Sequence, residues 1–205
     1  SEATVTRFCR TIGLRGYAQL RLRLAASAER HRGESDPEGG MAMLGDIDPT
    51  DTVAEIVRKV SHADTRAVEL TLSHLDVGVL EAAVGHLAAA RRILTFGVAS
   101  SATAAMDAAT KLTLSDRAAI VVHDIHGALM TTSLFGADDV VLVFSHSGRA
   151  REVVDVLQAA RLRGAATIAV TSDPSSPAAR AADHVLLTAV RELRFRSGGV
   201  ASRMA

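Results

Sequence analysis

The chain predicts an α/β fold, a doubly wound parallel sheet of five strands flanked by helices, and three observations carry that expectation. Short, unbroken apolar runs rich in β-branched residues are how parallel strands buried on both faces read. Five occur: Ile93 to Gly97, Ala118 to Val122, Val140 to Phe144, Ala166 to Thr171 and His184 to Leu187. Segments with helical apolar period lie between them, and alternating strands and helices build a parallel sheet. Two of the runs end in serine-rich turns, at the carboxyl edge where open α/β sheets hold ligands.

From the N-terminus, Ser1 reads as an N-cap, with Val5, Phe8, Cys9 and Ile12 on one helical stripe and Gly13 as its stop. Tyr17, Leu20 and Leu24 form the stripe of a second helix. Residues 1–32 carry a net charge of +5 and the remainder −5, so the overall balance of zero hides a basic head on an acidic body. Such a head suits a polyanion, although a basic helical hairpin packed on the body has the same composition. Residues 33–48 combine Gly, Pro, Ser and Asp and read as a flexible linker. Asp48 and Pro49 then read as N-cap and first helical residue of a long helix, with Val53, Ile56, Val57 and Val60 as its stripe and an end near Leu75. Asp76 caps the next, with Leu80, Ala83, Val84 and Leu87 on its face.

The first serine turn runs Phe96-Gly97-Val98-Ala99-Ser100-Ser101, ahead of a helix striped by Ala102, Ala105, Met106 and Ala109. At the end of the second strand stand His123, Asp124 and His126, which border the same edge; the spacing of the histidines supplies no complete metal shell. The second serine turn, Ser145-His146-Ser147-Gly148, joins the third strand to a helix with Val153, Val156, Leu157 and Ala160 on one face and Gly164 as its C′ residue. Free N–H groups of that helix start, beside two hydroxyls, make an anion site. N-capping by serine alone produces a similar turn.

One cysteine, Cys9, excludes an intramolecular disulfide and falls on a core-facing stripe. No run approaches the length of a membrane span and the N-terminus lacks a signal pattern, so a soluble, cytoplasmic protein with no membrane partner is expected. Neither a metal nor a cofactor is expected.

The run FSHSGRAREVVDVLQAARLRGAATIAVTSDPSSPAARAADHVLL resembles the core of the sugar isomerase (SIS) domain, a phosphosugar-binding fold. The resemblance implies that Ser145 and Ser147 hold a phosphate, with Ala150 in place of the family's usual threonine. It also implies that the turn after the first strand faces the same ligand through Ser101 and the adjacent Ser100, with Ala99 replacing the family's second glycine. The implied phosphosugar set is therefore Ser100, Ser101, Ser145, His146, Ser147, Gly148 and Glu152. The N-terminal segment resembles the second half of the helix-turn-helix domain of RpiR-type transcriptional regulators through Ser1, Thr4, Val5, Arg7, Phe8, Cys9, Arg10, Gly13, Gly16 and Leu20. In such a domain the start of the recognition helix meets DNA, which implies contacts by Ser1, Glu2, Ala3, Thr4 and Arg7.

The domains expected are thus a partial helix-turn-helix at 1–32, a linker at 33–48 and a SIS domain at 49–205. The family's preceding helices are missing, and its last helix, approached through Ser202 and Arg203, is incomplete, as in a truncated chain. The function implied is a regulator that senses a phosphorylated sugar and binds operator DNA as a homodimer, without catalytic residues. The alternative is a phosphosugar isomerase or lyase on the same fold, with Glu152, His146 or His126 as the base.

Overall fold

The structure is a computed structural model that describes residues 47–189. The expectations for the helices before residue 33, for Cys9, for the DNA-contact residues and for the tail around Ser202 lie outside the described residues. In chain order the elements are α1 (Val53–His74), α2 (Val77–Ala89), β1 (Arg92–Gly97), α3 (Ser101–Leu114), β2 (Ala119–Val122), α4 (Ile125–Ser133), β3 (Asp139–Phe144), α5 (Arg151–Leu162), β4 (Ala166–Thr171), α6 (Pro177–Ala181) and β5 (His184–Leu187).

The first long helix begins later than its sequence suggests. Asp48 spends its carboxylate on Thr50, whose backbone N–H lies 2.9 Å away, and its carbonyl accepts from Asp51 in a turn that precedes the helix. Thr52 and Glu55 then form a reciprocal capping box, with the Thr52 N–H donating to Glu55 at 2.7 Å and the Glu55 N–H to Thr52 Oγ1 at 3.3 Å. Two reciprocally satisfied N–H groups fix a start better than one cap and a proline. The expected stripe of α1 is only partly packed: Ile56 and Val60 are half-buried, Val53 is 78% and Val57 61% exposed, and only Thr71 of this helix is buried. Asp76 caps α2 as expected, accepting from Val79 N–H at 3.1 Å.

The five strands form one parallel sheet in the order β2-β1-β3-β4-β5. Alternate strand residues feed two cores. Leu94, Phe96, Val141, Val143 and Ala169 meet Val153, Val156, Leu157 and Ala160 of α5 on one face. Ile93, Val140, Leu142, Phe144, Ile168 and Val170 meet Ala83, Ala104 and Ala105 on the other. All four stripe residues of α5 are fully buried, and that helix closes at Gly164, whose φ of +78° is the left-handed geometry of a C′ residue. No described helix is long and apolar enough to cross a membrane.

Because the chain passes from β1 outward to β2 and then back across to β3, the β1/β3 boundary is the switch point of the sheet. In this architecture the loops leaving those two strands diverge to opposite faces and open a crevice between them. At the opposite edge of the sheet, Asp139 opens β3 with its carboxylate fully buried. It accepts from Arg91, Arg92 and the Gly136 N–H at 2.9, 2.7 and 2.9 Å.

Candidate functional site

The two serine turns leave adjacent strands at that switch point. Gly97 and Phe144 are partners in the β1–β3 register, so the residues that follow them emerge side by side. A Cβ on Gly97 would stand 2.6 Å from the Ser101 carbonyl oxygen and 3.1 Å from that of Phe144, which shows how closely the start of α3 folds back over the strand ends. Ser100 and Ser101 are half-buried and Ser145 is buried. The hydroxyls of all three make no hydrogen bond to any described residue, although other serines of the same edge are engaged: Ser172 and Ser175 donate and Ser176 accepts. Ser147 is exposed, its Oγ meeting only the Arg149 N–H, at 3.4 Å.

The start of α5 completes the crevice. Its N-cap is Ala150, which has no side chain to offer and makes no capping hydrogen bond. The N–H groups of the first turn are therefore left to whatever occupies the crevice, and the helix dipole favours negative charge there. Glu152 lies in this turn with its side chain exposed to solvent. At the neighbouring edge of β2, Asp124 is the N-cap of α4, accepting from the Gly127 N–H at 2.9 Å, and His123 and His126 are exposed. No group of three or more His, Cys, Asp or Glu is arranged to hold a metal among the described residues.

What fixes the second serine turn was missed in the sequence. The β4–α6 turn, Thr171 to Ser176, clamps it from the side. The His146 carbonyl accepts from Ser172 N–H, Thr171 Oγ1 and Ser172 Oγ at 2.9, 3.0 and 2.8 Å. Arg149 pairs with Asp173 at 3.0 Å, and the Asp173 carboxyl is held below its usual range, first by the Ser175 hydroxyl and backbone N–H and then by Arg149. Gly148 sits at φ +63° with its carbonyl accepting from Ala178 N–H at 3.0 Å, so α6 is tied to the same loop. The available signal was the Ser/Asp/Pro-rich run directly after a strand at Thr171-Ser172-Asp173-Pro174-Ser175-Ser176.

The first turn is strained at Ala99. Alanine in place of glycine is harmless where φ is negative, but Ala99 has φ +52°. Its carbonyl accepts from Ala102 N–H at 3.1 Å, so the left-handed residue is built into the first turn of α3. A side chain in that region costs about 1–2 kcal/mol, part of which glycine gives back as unfolded-state entropy. Ala99→Gly is therefore expected to stabilise the chain by about 0.5–1 kcal/mol, and denaturant titration measures it. An unchanged or lower midpoint contradicts the strain assigned to Ala99.

Chemically, the two turns present hydroxyls, backbone N–H groups and a helix N-terminus at the carboxyl ends of two paired strands, a donor set suited to a dianionic phosphate. Other concavities, one between α5 and α6 and an apolar one between α2 and α3, lie away from it.

Comparison with known proteins agrees with this geometry. Residues 86–204 match the SIS domain and residues 1–31 match the helix-turn-helix domain of the rpiR family. An uncharacterized HTH-type transcriptional regulator of Caldanaerobacter subterraneus is 34% identical over 205 residues, covering all of this chain and 70% of that protein. The HTH-type transcriptional regulator HexR of Pseudomonas aeruginosa is 33% identical over 181 residues, covering 88% of this chain and 60% of that one. Among solved structures, the sugar isomerase domain of an RpiR transcription factor from Sphaerobacter thermophilus superposes with a TM-score of 0.70 at 26% identity, over 73% of this chain and 84% of that one. The Vibrio vulnificus NanR protein complexed with ManNAc-6P shares the fold, with a TM-score of 0.69 at 24% identity over 100% of this chain and 70% of that one.

Proposed function

We propose a function from the premise that this chain belongs to the rpiR family of helix-turn-helix transcriptional regulators built on a SIS domain. It is a cytoplasmic regulator whose SIS domain senses a phosphorylated sugar and whose N-terminal head binds operator DNA, with effector occupancy altering that binding. The observation that carries the effector site is that the hydroxyls of Ser100, Ser101 and Ser145 bond to no described residue, on turns that follow paired strand ends, one of which leads into the uncapped start of α5. Ser147, His146, Gly148 and Glu152 belong to the same edge, Gly148 through its backbone alone. The complex of NanR with ManNAc-6P supports the ligand class. The relatives' character as regulators favours sensing over isomerisation. The exposure of Glu152 and His126 points the same way, since a base for carbon acids works best where water is excluded. Contact with DNA through Ser1, Glu2, Ala3, Thr4 and Arg7 rests on the family resemblance of that segment.

A thermal-shift series with phosphorylated sugars and their unphosphorylated counterparts tests the ligand class. A phosphosugar at about 100 times its Kd stabilises the folded state by about 2.7 kcal/mol, which is expected for at least one member of the phosphorylated set and none of the controls. Equal response to both sets contradicts a phosphate-centred site.

A homodimer is part of the same reading. Val53 and Val57 of α1 and Val84 of α2 are 78%, 61% and 53% exposed, more aliphatic surface than these helices need to leave in water unless a second copy covers it. Light scattering at micromolar concentration is expected to give twice the chain mass; a monomeric mass throughout that range rejects it.

A further inference from the structure

We infer that His146 is a specificity-determining residue of the effector site, a hydrogen-bond donor through Nε2 held in one tautomer by its buried, unpartnered Nδ1. The inference rests on the phosphosugar reading and says what else the bound ligand must offer. Nδ1 of His146 is the only buried side-chain nitrogen or oxygen without a hydrogen-bond partner among the described residues. Nε2 is not among the buried atoms and bonds to no described residue, so it faces accessible space. The residue stands between Ser145 and Ser147, and its carbonyl is held by three donors from Thr171 and Ser172, so its backbone does not pivot.

The tautomer follows from the asymmetry between the two nitrogens. Which nitrogen of a neutral imidazole carries the proton is set by what the other one meets. A proton on Nδ1 would put an N–H dipole into a pocket with no acceptor, whereas a bare lone pair leaves only an acceptor unmet and lets Nε2–H face solvent or ligand. The neutral ring is therefore the Nε2–H form. Toward the accessible space beside Ser145 and Ser147 it gives a donor and withholds a lone pair. Two consequences come together. The ligand must turn an acceptor oxygen toward His146, in addition to the phosphate held by the serine turns. His146 also cannot take a proton from a sugar carbon through Nε2, because no carboxylate or carbonyl at Nδ1 stands ready to switch the tautomer. That absence suits a sensor.

The test joins two measurements on the full chain. Long-range proton–nitrogen correlation spectra of histidine-labelled protein read the tautomer directly, and an unprotonated Nδ1 with a protonated Nε2 is expected. Calorimetry then compares wild type, His146→Gln and His146→Phe, with the tightest binder among aldose, ketose and N-acetylhexosamine 6-phosphates as probe. The Gln amide places an N–H near the position of Nε2, and Phe keeps a ring without a donor. His146→Phe is expected to weaken binding about tenfold or more, the value of a lost hydrogen bond to ligand, while His146→Gln stays within about threefold of wild type. A proton on Nδ1, or equal affinity of the Phe variant, overturns the donor role and leaves the phosphosugar site standing. A Gln variant as weak as the Phe variant assigns the position to shape and likewise overturns it. Failure of wild type to bind any phosphorylated sugar overturns both readings together.

Discussion

Gly148→Ala is expected to destabilise the chain by about 3 kcal/mol and to abolish phosphosugar binding with it. Two costs add. An alanine held at φ +63° pays the left-handed penalty of about 1–2 kcal/mol. Its Cβ would also stand 2.1 Å from Ser176 Oγ and 2.4 Å from Ser176 Cβ, so Ser176 must move. That serine is fully buried and caps α6 by accepting from Ala179 N–H at 3.2 Å, so moving it forfeits a cap worth about 1 kcal/mol. The displacement reaches the ligand because Gly148 N–H donates to the Ser145 carbonyl at 3.0 Å, within the turn that carries the serine hydroxyls. Gly164→Ala is the control: φ there is +78° but nothing lies within 4 Å of the added carbon. It is expected to cost only the left-handed penalty, about 1–2 kcal/mol, and to leave ligand affinity unchanged. Equal losses in the two variants would mean that contact with Ser176 contributes nothing.

Asp139→Asn is the second large effect, at about 2–4 kcal/mol, read as a fall in Tm of roughly 10 °C. The carboxylate is fully buried and serves Arg91, Arg92 and the Gly136 N–H, so neutralising it removes charge-assisted hydrogen bonds that tie the start of β3 to the start of β1. Breaking a buried pair costs about 3–5 kcal/mol when the orphaned partner stays buried. Here Arg91 is 60% and Arg92 34% exposed, so both return partly to water and the loss is smaller. The pH dependence has a definite sign. Hydrogen bonds from Arg92 and, after it, Arg91 and Gly136 hold the folded carboxyl far below its ordinary value of 3.8, outweighing burial. Its stabilisation is therefore complete above that value and is lost as pH falls below it, while the Asn variant lacks this slope. Denaturant titrations of both proteins at pH 7 and about pH 3 should show the gap between them narrowing in acid. A constant gap means the charge of Asp139 is not what the two arginines bind.

The central strands β1, β3 and β4 were legible because burial on both faces leaves an unbroken apolar run; the edge strands β2 and β5 keep such a run although most of their residues are only half-buried, and each strand lies within a residue of its expected bounds. The errors sit where pattern and chemistry separate. Asp139 was invisible as part of β3 because an acidic residue beside Asp138 reads as loop, and only the distant arginines make its burial tolerable. The start of α1 went astray because Asp48-Pro49 and Thr52-x-x-Glu55 are both start signals four residues apart, and reciprocity decided between them. At the site, both serine turns were legible from strand-to-helix punctuation. That both face one ligand was implied by the family resemblance alone, since no local pattern states that β3 pairs with β1 instead of β2. The left-handed Ala99 and the clamp from Thr171, Ser172 and Ser176 needed the fold, because one is a backbone conformation that side-chain identity argues against and the other joins segments some 25 residues apart.

The paired serine turns as a phosphate cradle are tested most directly by calorimetric titration of wild type and the Ser145→Ala, Ser147→Ala double variant with the same phosphosugar. Each hydroxyl lost from a charged acceptor is worth about 1.5–3 kcal/mol, and neither caps a helix nor donates to another described residue. The expected result is a variant with unchanged Tm whose affinity falls at least a hundredfold. An affinity equal to wild type would place the phosphate elsewhere and contradict the assignment.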